Sequence, residues 1–93
     1  MGKYKETFGI DTSKSVFDVY GSKSGHHQFS NDESGFVSFL GYIPKDSLVL
    51  MEATGYYHYR FAQFLYNQGV SVAVVNPLSV KRFIQMKLAK VKT

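Results

Sequence analysis

There is no cysteine among the 93 residues. This excludes a disulfide-stapled scaffold and a thiolate zinc site, and it is compatible with a reducing compartment. No apolar run approaches the length needed to span a bilayer, and the start, MGKYKETFG, lacks the apolar core of a signal peptide. A soluble, cytoplasmic protein without membrane contact is expected. Acidic residues are missing from the C-terminal stretch, where Lys81, Arg82, Lys87, Lys90 and Lys92 stand without a counter-charge. The net charge of +4 is therefore concentrated there, and residues 1–80 are slightly acidic. Such a cluster faces phosphates or forms an ordinary solvated helix surface.

What is present is globular in character. Hydrophobic residues make up 44% of the chain and charged residues 19%. The length sets a limit of one domain, burying about 60–65% of its unfolded surface. Eight Phe and seven Tyr are many for this size. Most must be core, leaving a few tyrosines for a partner.

Residues 4–10 predict a first strand that stops at Asp11, followed by a Thr12-Ser13-Lys14 turn. A second strand over 16–20 puts Val16, Asp18 and Tyr20 on one face and Phe17 and Val19 on the other. Residues 21–25 form a Gly- and Ser-rich hairpin turn, and 27–30 a short third strand. Asn31 or Asp32 caps a helix whose stripe is Phe36, Phe39, Leu40 and Ile43, ended by Pro44. Residues 47–51 form the next strand. A second helix spans about 56–67, with Tyr57, Phe61, Phe64 and Leu65 buried and Gly69 closing it. Residues 70–75 form a strand apolar on both faces, hence central or covered on both sides. Asn76-Pro77 opens a last helix that carries Val80, Ile84 and Leu88 on one side. No repeat, low-complexity segment or linker interrupts this order. A three-strand antiparallel meander followed by βα units fits an α/β fold of the ribonuclease H-like kind, with a mixed five-stranded sheet. A flavodoxin-like sheet would lack the meander.

Two carboxylates end strands: Asp11 the first and Glu52 the fourth. If those strands lie parallel and adjacent, both groups emerge at one edge, where open α/β sheets gather ligands. Close carboxylates repel unless a positive group lies between them. Mg²⁺ prefers oxygen donors and uses one or two protein carboxylates, keeping water and phosphate for the rest of its shell. The structural alternatives are a turn aspartate in Asp-Thr-Ser and a glutamate that marks where its strand reaches water.

The segments FGIDTSK, MEATGYYH and VVNP, in this order and at these distances, resemble the N-terminal domain of the DEDD-type transposases of bacterial insertion sequences. These are relatives of the Piv DNA invertase, whose catalytic domain is similar to the RuvC resolvase. The resemblance runs from about residue 8 to 93. It implies a ribonuclease H-like fold and metal-dependent DNA strand cleavage and joining. Its first two catalytic, metal-binding acids match Asp11 and Glu52, with Mg²⁺ (or Mn²⁺) as cofactor. DNA is the implied partner, together with an element-encoded RNA and further copies of the chain. The family's other two acids follow a Lys-Thr like Lys92-Thr93, where this sequence stops. The chain thus resembles a domain truncated at its C-terminal end, holding half of the acidic tetrad, with weak metal binding and no strand transfer expected of it alone.

Lys14, Lys81, Arg82, Lys87 and Lys90 are the candidate phosphate contacts, sequence-independent and salt-sensitive. Lys14 has an alternative partner in Asp18. Gly9 allows a close backbone approach or marks a bulge. Thr54 and Gly55 suit a helix cap and a special backbone conformation, or a turn that offers N–H groups to a phosphate. His26 and His27, adjacent on a strand, point to opposite faces and make a poor chelating pair. His58 is expected on the helix surface. Tyr56, Tyr59, Gln63 and Tyr66 form an exposed face suited to base stacking or a subunit interface. Two other functions fit less of this pattern. One is a non-catalytic nucleic-acid-binding or oligomerisation module on the same scaffold. The other is a kinase-like domain, for which ATGYYH is a poor phosphate loop.

Overall fold

The structure is a computed structural model and describes residues 4–53 and 57–75. Along the chain run β1 (Glu6–Thr12), β2 (Val16–Gly21), β3 (Gly25–Ser30), α1 (Glu33–Tyr42), β4 (Ser47–Glu52), α2 (Tyr59–Asn67) and β5 (Ser71–Val75). The predicted last helix, with Lys81, Arg82, Lys87 and Lys90, lies outside the described residues, as do Thr54, Gly55 and Tyr56.

The five strands form one mixed sheet in the order β3-β2-β1-β4-β5. β1 pairs antiparallel with β2, and β2 with β3, as the expected meander. β4 lies parallel to β1 and β5 parallel to β4. β1 and β4 each run to their acid or beyond it, because backbone pairing is indifferent to the side chain's charge. The β1–β2 register is continuous from Phe8↔Gly21 to Thr12↔Phe17, so Gly9 is a regular strand residue and not a bulge. Among the described residues β5 is an edge strand with Val74 exposed. This corrects the central position that its apolar sequence suggests.

Alternation in the strands divides the sheet into two faces. Phe8, Ile10, Phe17, Val19, Val49 and Met51 point to the helices and join Phe36 and Phe39 of α1 and Phe61 and Leu65 of α2 in one buried core. The core is built from rings. Phe17 lies 4.1 Å from Phe61 between centroids, and Phe36 stacks on Phe61 at 4.9 Å. Gly35 is required where α1 meets β3, since a Cβ there would overlap the Ser30 carbonyl oxygen.

Asp32 is the N-cap of α1, and its Oδ1 accepts from the Gly35 N–H at 2.9 Å. That bond, followed by the Ser30 hydroxyl and smaller contributions from Ser34 and Arg60, holds its carboxyl below the ordinary range. A carboxyl lowered in the folded state stabilises it above the unfolded value of about 3.9 and loses that effect as pH falls through the folded value. Asp32→Ala is accordingly expected to lower the urea midpoint at pH 7, with the difference from wild type shrinking below about pH 4. A difference that stays constant with pH would assign the loss to something other than the charged cap.

α2 starts at Tyr59, later than its apolar spacing suggests, and its buried stripe is shifted. His58, Phe61 and Leu65 are buried, Phe64 is half-buried and Tyr57 is exposed. Gly69, with φ of +79°, ends the helix as expected. No helix of the described residues is long and apolar enough to cross a membrane.

Candidate acidic edge of the sheet

The second sheet face carries the candidate chemistry. β1 and β4 are in register through Ile10↔Met51, which places Asp11 beside Glu52 one position further on. Ile10 and Met51 both point into the core, so Asp11 and Glu52 both point to the other side. Asp11 is exposed and Glu52 half-exposed. The strand pairing thus brings together the two acids that the sequence singles out, at the carboxyl ends of adjacent parallel strands.

The rows across this face follow from register. One row runs Gln28, Asp18, Asp11, Glu52, Val75, and the row behind it runs His26, Tyr20, Gly9, Leu50, Ala73. Gly9 leaves the second row without a side chain behind Asp11. Asp18, which the sequence only placed on a strand face, is the cross-strand partner of Asp11. Its Oδ1 accepts from His26 Nε2 at 3.0 Å and from Gln28 Nε2 at 3.1 Å. Asp18 is thereby occupied by His26, and the alternative pairing with Lys14 is not formed; Lys14 is exposed in the β1–β2 turn. Burial raises the Tyr20 phenol above its ordinary range, and the charges of Asp18 and then Asp11 push the same way. The two carboxylates therefore act electrostatically on a common neighbour. Among the described residues no group of three or more His, Asp or Glu side chains is arranged to hold a metal ion.

Three buried polar atoms, Thr12 Oγ1, Tyr42 OH and His58 Nδ1, have no hydrogen-bond partner among the described residues. The burial of His58 corrects the surface position expected for it. The signal was available, because His58, Phe61 and Leu65 are spaced i, i+3, i+7 along one helical stripe. His58 packs its ring 4.5 Å from that of Tyr59. His26 and His27 diverge as expected, His26 stacking on Tyr20 and His27 lying tilted against Tyr42, 58° between planes. Tyr59, Gln63 and Tyr66 are exposed, as the helix pattern implied.

Asn31 ties the loops around this edge. Its Nδ2 donates to the Ser13 carbonyl at 2.6 Å and to the Tyr57 carbonyl at 3.2 Å. The turn after Asp11 and the approach to α2 after Glu52 are so held by one amide. A groove of about 540 Å³ between α1 and α2, lined by Glu33, Phe36, Arg60 and Phe64 among others, opens against the helices and not at this edge.

A mixed α/β sheet with two carboxylates side by side where parallel strands end defines a class of domain, one with an acidic strand-end edge. The family model described as transposase, of the IS110 DEDD type, matches residues 8–93. The chain belongs to this family of insertion-sequence transposases. Comparison with curated proteins finds no match.

Proposed function

We propose that the domain is the ribonuclease H-like catalytic part of an insertion-sequence transposase and that Asp11 and Glu52 hold Mg²⁺ or Mn²⁺ for cleavage and joining of DNA strands. The observation that carries this reading is the register that places the two carboxylates next to each other on one face. The sheet order with an antiparallel β2 between β3 and β1 supports the ribonuclease H-like assignment, and family membership supports the reaction. The donor set fits the ion, since both acids offer hard oxygen atoms and Mg²⁺ is commonly held by one or two carboxylates. When bound, the ion polarises the phosphate and stabilises the leaving oxygen. Asp11 and Glu52 orient it at the rim of the sheet. In this reading Lys14 contacts a phosphate of the same strand, which its exposure in the turn after Asp11 supports. Lys81, Arg82, Lys87 and Lys90 add sequence-independent attraction for the DNA backbone. Exposed Tyr59 and Tyr66, 63% and 73% accessible, support contact with another subunit or with bases.

The test is metal affinity. Asp11→Asn or Glu52→Gln is expected to weaken Mn²⁺ binding by at least about tenfold, in keeping with the loss seen when even outer-shell partners are removed. The fold should be intact by circular dichroism, because neither side chain belongs to the core. Unchanged Mn²⁺ affinity in both variants would leave a domain of this family that binds nucleic acid without chemistry.

A further inference from the structure

In the two rows of the acidic face the side-chain hydrogen-bond donors are Gln28 and His26 on β3 and Tyr20 on β2. The first two are turned to Asp18, whose Oδ1 accepts from both. Tyr20 is half-buried, and among the described residues its hydroxyl makes no hydrogen bond. Its neighbours fix where the ring stands. His26, its cross-strand partner on β3, reaches one row up to Asp18, which tips the imidazole toward the rim of the sheet. The Tyr20 ring lies nearly parallel to that imidazole, with centroids 4.6 Å apart and 19° between planes, so it is backed on the β3 side. On the β1 side its partner is Gly9, which sets no side chain against it. Diagonal neighbours across an antiparallel pair are about 7–8 Å apart, within reach of a long side chain, and Asp11 is the diagonal neighbour of Tyr20. The charges of Asp18 and Asp11 both act on the phenol and, after burial itself, keep it above its ordinary range. It therefore remains an O–H, a neutral donor beside carboxylates. Asp18, Asp11 and Glu52 in one row repel a phosphate unless a cation stands between. A lysine in the place of Tyr20 would be drawn to the acids as an ion pair, whereas a phenol offers a donor without a charge.

We infer that Tyr20 is a substrate-binding residue whose hydroxyl donates to a non-bridging oxygen of the DNA phosphate drawn to the ion at Asp11 and Glu52. The inference rests on the metal-binding reading above and adds a protein donor to it. Mg²⁺ keeps positions of its shell for phosphate oxygens, and tyrosine hydroxyls are among the side-chain groups that bond to DNA phosphates. The contact depends on the ion, because without it the row of carboxylates holds the phosphate away from the phenol. It fixes the position of the backbone and carries no base sequence. His26 serves it from behind, as the ring that keeps Tyr20 upright beside Asp11.

The experiment has two arms on the 93-residue chain. The first follows ¹³C resonances of the side-chain carboxyls and of the tyrosine Cζ atoms while Mn²⁺ is added. Asp11 and Glu52 should broaden first, and Tyr20 should broaden with them, while Tyr59 and Tyr66 on α2 stay sharp. The second measures binding of a fluorescein-labelled thymidine oligonucleotide by anisotropy, in Mg²⁺ and in EDTA. Tyr20→Phe keeps the ring on His26 and removes only the hydroxyl. It should weaken the complex about tenfold in Mg²⁺, as expected for a hydrogen bond to a charged group. It should leave binding in EDTA and the affinity for Mn²⁺ unchanged. A purely structural effect of the substitution would lower binding in EDTA as well. Equal affinity of the variant and the wild type in Mg²⁺, an equal loss in EDTA, a Tyr20 resonance that stays sharp beside broadened carboxyls, or Mg²⁺ that leaves the wild-type complex no tighter each overturns the role of Tyr20 and leaves the metal reading in place. Sharp Asp11 and Glu52 resonances throughout the Mn²⁺ titration overturn the metal reading itself, and the role of Tyr20 with it.

Discussion

Phe17→Ala is expected to cost about 3–5 kcal/mol, the range for emptying a buried phenylalanine site, and to lower the thermal midpoint by at least about 12 °C. Phe17 is fully buried on the helix face of β2 and joins both layers. Its ring lies 4.1 Å from Phe61 of α2, 5.8 Å from Phe39 and 6.2 Å from Phe36 of α1, and it stacks on Phe29 of β3 at 5.5 Å. Removing it leaves a void bounded by aromatic rings and the sheet, which neighbours close only by leaving their own rotamers. A domain of this size has about 5–14 kcal/mol of stability in total, so the variant should sit near the threshold of folding. Thermal melts by circular dichroism check this. A loss below about 1 kcal/mol would mean that β2 does not cover the two helices as described.

The second large effect is expected at the opposite end of the sheet. Glu6 is buried, and its carboxylate organises the β2–β3 turn. Oε2 accepts from the Lys23 and Ser24 N–H groups at 2.7 and 2.6 Å, and Oε1 accepts from the Ser24 hydroxyl at 2.9 Å. Gly21 makes room for it, since a Cβ there would come within 2.5 Å of Oε2. Hydrogen bonds to a charged group contribute about 1.5–3 kcal/mol each, and donors left without an acceptor add a penalty. Because the three bonds share one carboxylate and a turn that can rehydrate, Glu6→Ala should cost about 3 kcal/mol in urea unfolding. Glu6→Gln should recover little of it, because its amide group sets an N–H against a backbone N–H. Full recovery by glutamine would show that packing, and not the acceptor oxygens, is what Glu6 contributes.

The contrast between these two residues shows what can be read from a linear sequence here. Alternation alone put Phe17 with Val19 on one face of its strand, and the meander, α1 and the strand leading to Glu52 were likewise legible from local spacing. These are local periodicities, and burial enforces them. Glu6 carried no such sign, because its role depends on a turn seventeen residues away. Asp11 and Glu52 were identifiable as strand-end acids, but their adjacency required the parallel β1–β4 pairing, which only the tertiary fold supplies. The bonds of Asp18 to His26 and Gln28 were invisible for the same reason, since they depend on the β2–β3 register. The start of α2 was read three residues early, and the start of its buried stripe one residue early, at Tyr57 instead of His58. In a nine-residue helix with aromatic residues on several sides, a stripe one residue out of phase fits almost as well.

Asn31 couples the two halves of the acidic edge in a further way. Its amide spans the hairpin, whose contacts are close in sequence, and the segment before α2, whose contacts are distant. The amide NH₂ has one N–H for each carbonyl, so a single side chain bridges the two segments. Removing the amide, as in Asn31→Ala, would therefore take a tie from the turn after Asp11 and from the approach to α2 at once. The loops on both sides of the edge that presents the two carboxylates thus share one side-chain tie.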